Sequence, residues 1–130
     1  FSALASSIRG GYMAFELCMK IMIKGRCMFT SSRSSAQELR ARFPKLCMGF
    51  SGVVTFGNAA AVKEVVRGVL LERILLETDG PYMAPEPCRG RVATPGHVAY
   101  VAERIAKIKG FPRDEIFCTC RENTRRLFGI

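Results

Sequence analysis

The sequence predicts an α/β fold in which βα units build a parallel sheet. Two observations carry that expectation: short apolar runs alternate with segments whose apolar residues recur at helical spacing, and the whole spans 130 residues of 48% hydrophobic content. That content suffices for one packed core and excludes a disordered chain. A closed (β/α)8 barrel takes about 250 residues, so this chain has room for about half of one. Residues 1–130 are read as a single partial domain. The start at Phe1 rather than Met, in a small-residue apolar stretch, reads as a piece cut from something longer.

The elements follow in chain order. Tyr12–Lys24 carries Phe15, Leu17, Met19, Met22 and Ile23 with charges between, which predicts a helix ended by Gly25. Arg26–Phe29 is short and apolar enough for a buried strand. Ser35 and Glu38 stand at capping-box spacing before a helix running to about Phe43, and Pro44 stops it. Leu46–Thr55 is a continuous apolar run, as expected of a parallel strand buried on both faces. Asn58 can cap a helix with Ala61, Val62, Val65 and Val66 on one side, closing at Gly68. Arg73–Glu77 is the next strand, and Thr78-Asp79-Gly80-Pro81 is a turn at its C-terminal end. A Pro- and Gly-rich loop, Met83–Thr94, leads to a helix opened by Pro95, with Val98, Val101, Ile105 and Ile108 on one stripe and Gly110 at its end. Pro112 opens the last helix, with Ile116, Phe117, Cys120, Leu127 and Phe128 inward before Gly129.

Twenty Lys and Arg against eleven Asp and Glu give a formal net charge of +9, which favours acidic partners, nucleic acid among them. The cations are scattered, so an ordinary solvated surface is the plain alternative. The six cysteines (Cys18, Cys27, Cys47, Cys88, Cys118 and Cys120) are read as reduced thiols, because the chain is large and apolar enough to fold without a disulfide framework. No apolar run approaches the ~20 residues of a bilayer span, and Glu16, Lys20 and Lys24 interrupt the nearest candidate. The expectation is a protein without membrane attachment, intracellular in cytoplasm or nucleus and not secreted.

Three strings in order, Gly49–Phe56, Leu70–Tyr82 and Glu122–Gly129, resemble the C-terminal half of the TatD-type metal-dependent hydrolases. The string Leu-Glu-Arg-Ile-Leu-Leu-Glu-Thr-Asp-Gly-Pro-Tyr is long and specific. Residues 27–130 match well and residues 1–26 poorly. The resemblance implies a partial (β/α)8 TIM barrel of the metal-dependent hydrolase type, with a divalent ion (Mg, Mn or Zn) activating water against a phosphodiester. DNA is the implied substrate, cut by a deoxyribonuclease or 3′-5′ exonuclease. Such ions lower the pKa of bound water and polarise the phosphoryl oxygen where barrel strands end. Asp79 matches the family's aspartate after the last strand, as metal ligand or general base, although an Asp in such a turn is by itself an ordinary turn former. Glu77 matches an adjacent acidic position that orients ligands or pairs with a nearby cation. Pro81 shapes the loop. Tyr82 and Arg89 are candidate substrate contacts, with packing as the alternative for Tyr82.

The sequence also departs from the family it resembles. A family histidine is replaced by Cys27, whose thiolate suits zinc but is a poor ligand for magnesium or manganese. Ser7-Ile8-Arg9 stands where the family has an H-x-R-like string, with no histidine near it. His97, the sole histidine, falls at a helix start that is not a family ligand position and is read as a surface or capping residue. Val92-Ala-Thr94 replaces an arginine-asparagine string, which weakens phosphate contacts there. Two readings follow. One is an incomplete nuclease chain that works with the missing N-terminal half or with a second copy. The other is a non-catalytic half-barrel that binds nucleic acid or protein; within the first, a hydrolase of another ester or amide fits the same fold and metal site as a nuclease.

Overall fold

The computed structural model describes residues 19–23, 26–30, 38–39 and 41–130, the first two segments by their backbone course. Four strands form one sheet in the order β2-β1-β3-β4: β1 is Met19–Ile23, β2 Arg26–Thr30, β3 Cys47–Phe50 and β4 Ile74–Leu76. Among the described residues, residues 38–39 and 41–42 are helical before β3, α1 (Ala60–Gly68) lies between β3 and β4, and α2 (Val98–Lys109) and α3 (Arg113–Phe128) follow β4. This is an α/β fold with few strands and several helices, a partial barrel-like arrangement as the sequence predicts.

The sheet is mixed rather than wholly parallel. β3 and β4 run parallel, with Met48 beside Ile74 and Phe50 beside Leu76, whereas β1 is antiparallel to both β2 and β3. The helix expected over Tyr12–Lys24 is corrected at its C-terminal part, where Met19–Ile23 is extended. Ile21 and Ile23 are β-branched and two residues apart, which favours a strand. The two-residue link Lys24-Gly25 to β2 is long enough only for an antiparallel neighbour. Residues 12–18, the proposed cap Ser35 and the Ser7–Arg9 string lie outside the described residues.

β3 ends earlier than the apolar run suggests. After Phe50 the chain turns into a 3-10 helix at Gly52–Thr55, all four residues buried. Asn58 does not cap α1; Ala59 holds that position without a side-chain bond, and the Lys63 ammonium instead donates to the Phe56 carbonyl at 2.7 Å. Gly110 and Gly129 close α2 and α3 in the left-handed conformation, at φ 74° and 72°, where a Cβ is disfavoured.

The core lies between the β3–β4 pair and the helices. Met48, Phe50 and Ile74 from the sheet, Val62 and Val66 from α1, Val101 and Ile105 from α2, and Ile116 from α3 are each almost fully buried. Each such side chain contributes about 1.5–3 kcal/mol through removal from water. α2 packs on α1, α3 and the Gly52–Thr55 turn, while α3 packs on β4. Lys109, the last residue of α2, donates from Nζ to the carbonyls of Val66 (3.1 Å), Arg67 (3.3 Å) and Val69 (2.7 Å). A cation is thereby placed on the negative end of the α1 dipole.

Cys120 is buried against this core, and burial pushes its thiol up to about 12. Unfolded, the same thiol ionises near pH ~8.5. The neutral thiol's stabilising effect is therefore complete below that pH and is lost as pH rises towards 12, at up to about 1.4 kcal/mol per pH unit. Urea unfolding of the wild-type chain and of Cys120→Ala at pH 8, 9.5 and 10.5 should give a difference in stability that narrows as pH rises. A constant difference would refute this assignment. Iodoacetamide at pH 8 should label the exposed Cys118 and spare Cys120.

Candidate acidic site at the end of β4

Parallel pairing sets the C-terminal ends of β3 and β4 side by side, and the Glu77 N–H extends the ladder by donating to the Phe50 carbonyl at 3.1 Å. The chain then leaves the sheet through Thr78-Asp79-Gly80-Pro81. This turn is closed from within by the Tyr82 N–H, which donates to the Asp79 carbonyl at 2.9 Å. It is held from outside by the Ala93 N–H, which donates to the Pro81 carbonyl at 2.9 Å. Gly80 permits the approach, since a Cβ there would stand 2.9 Å from the Ala93 oxygen.

Glu77 lies across Gly49 of the neighbouring strand. A Cβ at Gly49 would fall 2.8 Å from both Cδ and Oε1 of Glu77, so the glycine makes the space that the carboxylate fills. Glu77 and Asp79 are half-buried, and Oε1 of the first and Oδ2 of the second are shielded from solvent. Ser51, just beyond the end of β3, is 2% exposed, and its hydroxyl has no hydrogen-bond partner among the described residues. Ser51 is the residue of this end that sequence reading passed over. Its place inside an apolar run read as one strand to Thr55 hid it, and the sequence carried no separate signal for it.

The other expected site residues fall in different surroundings. Tyr82 is 74% exposed beside the acidic turn. The Arg89 guanidinium sits 4.4 Å above the centre of the Phe56 ring and 3.7 Å from the Glu86 carboxylate, so packing and a local ion pair occupy it. Cys27 is on β2, and its side chain lies outside the described part. His97 caps a helix start: its Nδ1 accepts the Thr94 N–H at 3.2 Å within the turn Pro95–His97.

A catalytic divalent ion needs three or more protein ligands supported by surrounding hydrogen bonds. Among the described residues no three of His, Cys, Asp and Glu converge in that way. The donors at this end do not make up a metal centre by themselves, although the family implies a divalent-metal cofactor.

An acidic turn at the carboxyl end of a parallel strand, backed by helices, is the layout of the α/β-barrel hydrolases. Residues 17–129 match the family described as TatD related DNase, and the chain belongs to that family. The metal-dependent hydrolase YabD of Bacillus subtilis is 43% identical over 103 residues, which cover 78% of this chain and 39% of YabD. The corresponding Escherichia coli K12 hydrolase YcfH is 41% identical over 102 residues, covering 78% and 38%. The human 3′-5′ RNA nuclease TATDN2 is 34% identical over 108 residues, covering 81% of this chain and 14% of its own. The crystal structure of YJJV, a TatD homolog from Escherichia coli K12, superposes with a TM-score of 0.67 at 27% identity, covering 78% of this chain and 39% of YJJV. The chain is thus partial relative to full-length members, spanning about two fifths of these bacterial relatives. Among the described residues no helix is long and apolar enough to cross a membrane.

Proposed function

We propose that the chain is a non-catalytic half-barrel of the hydrolase family that binds nucleic acid, a module that keeps the acidic strand end without a sufficient set of metal ligands. The observation that carries this reading is the lack of any three-donor cluster around Asp79 among the described residues. The net charge of +9 supports a polyanionic partner. The names of the relatives, a DNase family and an RNA nuclease, support nucleic acid as that polyanion. Four described cysteines are free thiols, which suits a reducing compartment such as cytoplasm or nucleus.

One observation favours a second reading, phosphodiester hydrolysis by a completed barrel: the Glu77–Tyr82 turn is intact and held on both sides. In that reading Asp79 is a ligand or general base for a divalent ion, Glu77 orients it, and Cys27 stands in for a family histidine. Tyr82 and Arg89 touch the substrate, and the remaining ligands come from an N-terminal half or a second copy.

End-labelled single-stranded DNA and RNA, incubated with the purified chain and magnesium, manganese or zinc, should be bound but not cut above the background of Asp79→Asn. Metal-dependent cleavage that disappears in Asp79→Asn would overturn the non-catalytic reading and establish the second.

A further inference from the structure

At the end of the sheet away from Asp79, where β3 and β4 begin, the surface opens into a groove of about 750 Å³. Arg42, Lys45, Arg73 and Arg126 are part of its wall, with Phe43 and Leu127 as apolar surface between them. The described residues lining it include four cations and no carboxylate. The apolar surface continues into a second hollow of about 300 Å³ that shares Phe43 and Arg73 and reaches Leu70. Phe43 is 44% exposed and Leu70 65% exposed.

The cations are set differently. Arg126 is held in place, because its Nη2 donates to the Glu72 carbonyl at 2.6 Å and to Asn123 Oδ1 at 2.8 Å. Arg42 reaches Glu38 at 3.9 Å, with both side chains largely exposed, and a contact of that kind is weak in water. Lys45 is exposed on the turn after Pro44. Phe43 therefore stands between two exposed cations in sequence, Arg42 and Lys45, and faces a volume in the ~300–1,000 Å³ range that accepts a small organic molecule.

An aromatic face flanked by cations is the arrangement that binds single strands, where bases stack on the ring and phosphates lie against the charges. A duplex hides its base faces and gains nothing from Phe43 or Leu127. We infer that this groove holds a single-stranded nucleic acid, with a base on Phe43 and the phosphodiester backbone along Arg42, Lys45, Arg73 and Arg126. The inference rests on the nucleic-acid reading above and adds to it a place for the strand at the opposite end of the sheet from the acidic turn. Binding there does not require Asp79.

Fluorescence anisotropy with labelled oligo(dT) and oligo(rU) tests it. The variants are the double change Arg42→Gln with Lys45→Gln, the single change Phe43→Ser, and a control of equal charge on α3, Arg113→Gln with Arg121→Gln. All the substituted side chains are exposed, and circular dichroism checks each fold. The groove double variant should bind about tenfold more weakly and reduce the salt slope by roughly 1.4, the share of two single-strand phosphate contacts. Phe43→Ser should weaken binding about fivefold or more through lost stacking. The control should change affinity by less than about threefold. Equal losses in groove and control variants would overturn the placement and leave the nucleic-acid reading standing. Groove variants that bind as the wild type does would have the same effect. No wild-type binding to either oligonucleotide would overturn both. Groove-dependent binding of an acidic peptide with no oligonucleotide binding would assign the groove to a protein partner instead.

Discussion

Gly52→Ala is expected to cost the chain about 3 kcal/mol of stability or more, the upper end for forcing atoms into a filled interior. A Cβ at this position would lie 2.0 Å from the Met83 carbonyl oxygen and 2.9 Å from the Pro85 nitrogen. Both atoms are backbone, so no side chain can swing aside. The loop at residues 83–85 or the turn itself has to move. That movement would also strain the strap beside it, where the Thr55 hydroxyl donates to the Gly52 carbonyl at 2.6 Å and accepts the Glu86 N–H at 2.9 Å. Gly57 is the internal comparison, because nothing lies within 4 Å of the Cβ it lacks. Gly57→Ala should be neutral or slightly stabilising, by up to ~1 kcal/mol. Urea midpoints for the two variants measure the contrast, and equal midpoints would refute the steric account.

The second large effect is expected at Asn123, which is 2% exposed on the inner face of α3. Its Nδ2 donates to the carbonyls of Leu71 (2.9 Å) and Ile74 (2.8 Å), and its Oδ1 accepts from Arg126 at 2.8 Å. One side chain thus satisfies the backbone at the start of β4 and orients a cation of the basic groove. Asn123→Ala removes both donors and should lower stability by about 2–4 kcal/mol, since each buried carbonyl left without a partner costs about 1–3. Asn123→Asp keeps the shape but turns an oxygen towards two carbonyl oxygens. It should be at least as damaging as alanine at pH 8. An aspartate variant as stable as the wild type would show that packing, not these bonds, sets the residue's value. Because Arg126 loses one of its two anchors in the alanine variant and keeps only the Glu72 carbonyl, oligonucleotide binding should weaken along with the fold.

How much of this was legible in the sequence depended on the range of the interactions involved. α2 and α3 could be read because their apolar stripes and their terminal prolines and glycines are local signals, and Gly110 and Gly129 end them in the predicted way. The capping role of His97 was readable for the same reason. β3 was overextended because the chain leaves the sheet where Gly52 meets the backbone of Met83, a contact 31 residues distant. Asn58 offered a good local cap, but the Lys63 bond to Phe56 settles that corner without it. The strand at Met19–Ile23 was mistaken for a helix because five apolar and polar residues fit either period, and pairing on both sides decides the outcome. At the candidate site, Asp79 and Glu77 were recognisable from the motif, while Ser51 and the space made by Gly49 became visible only when two strands were set together. The basic groove draws on residues from three distant stretches, 42–47, 73 and 126–127, none of which is a run of charge.

The bonds from Asn123 also bear on the order in which the chain can assemble. The carbonyls of Leu71 and Ile74 wait for a side chain 52 and 49 residues further along, so loop closure on that scale must come before β4 is locked. During synthesis, β3 and β4 emerge well before α3, and for that interval the Ile74 carbonyl has only water to bond. Ribosome-bound chains that stop short of Asn123 therefore present the Ile74–Leu76 strand in an unsecured form, open to pairing with another nascent copy or to capture by a chaperone.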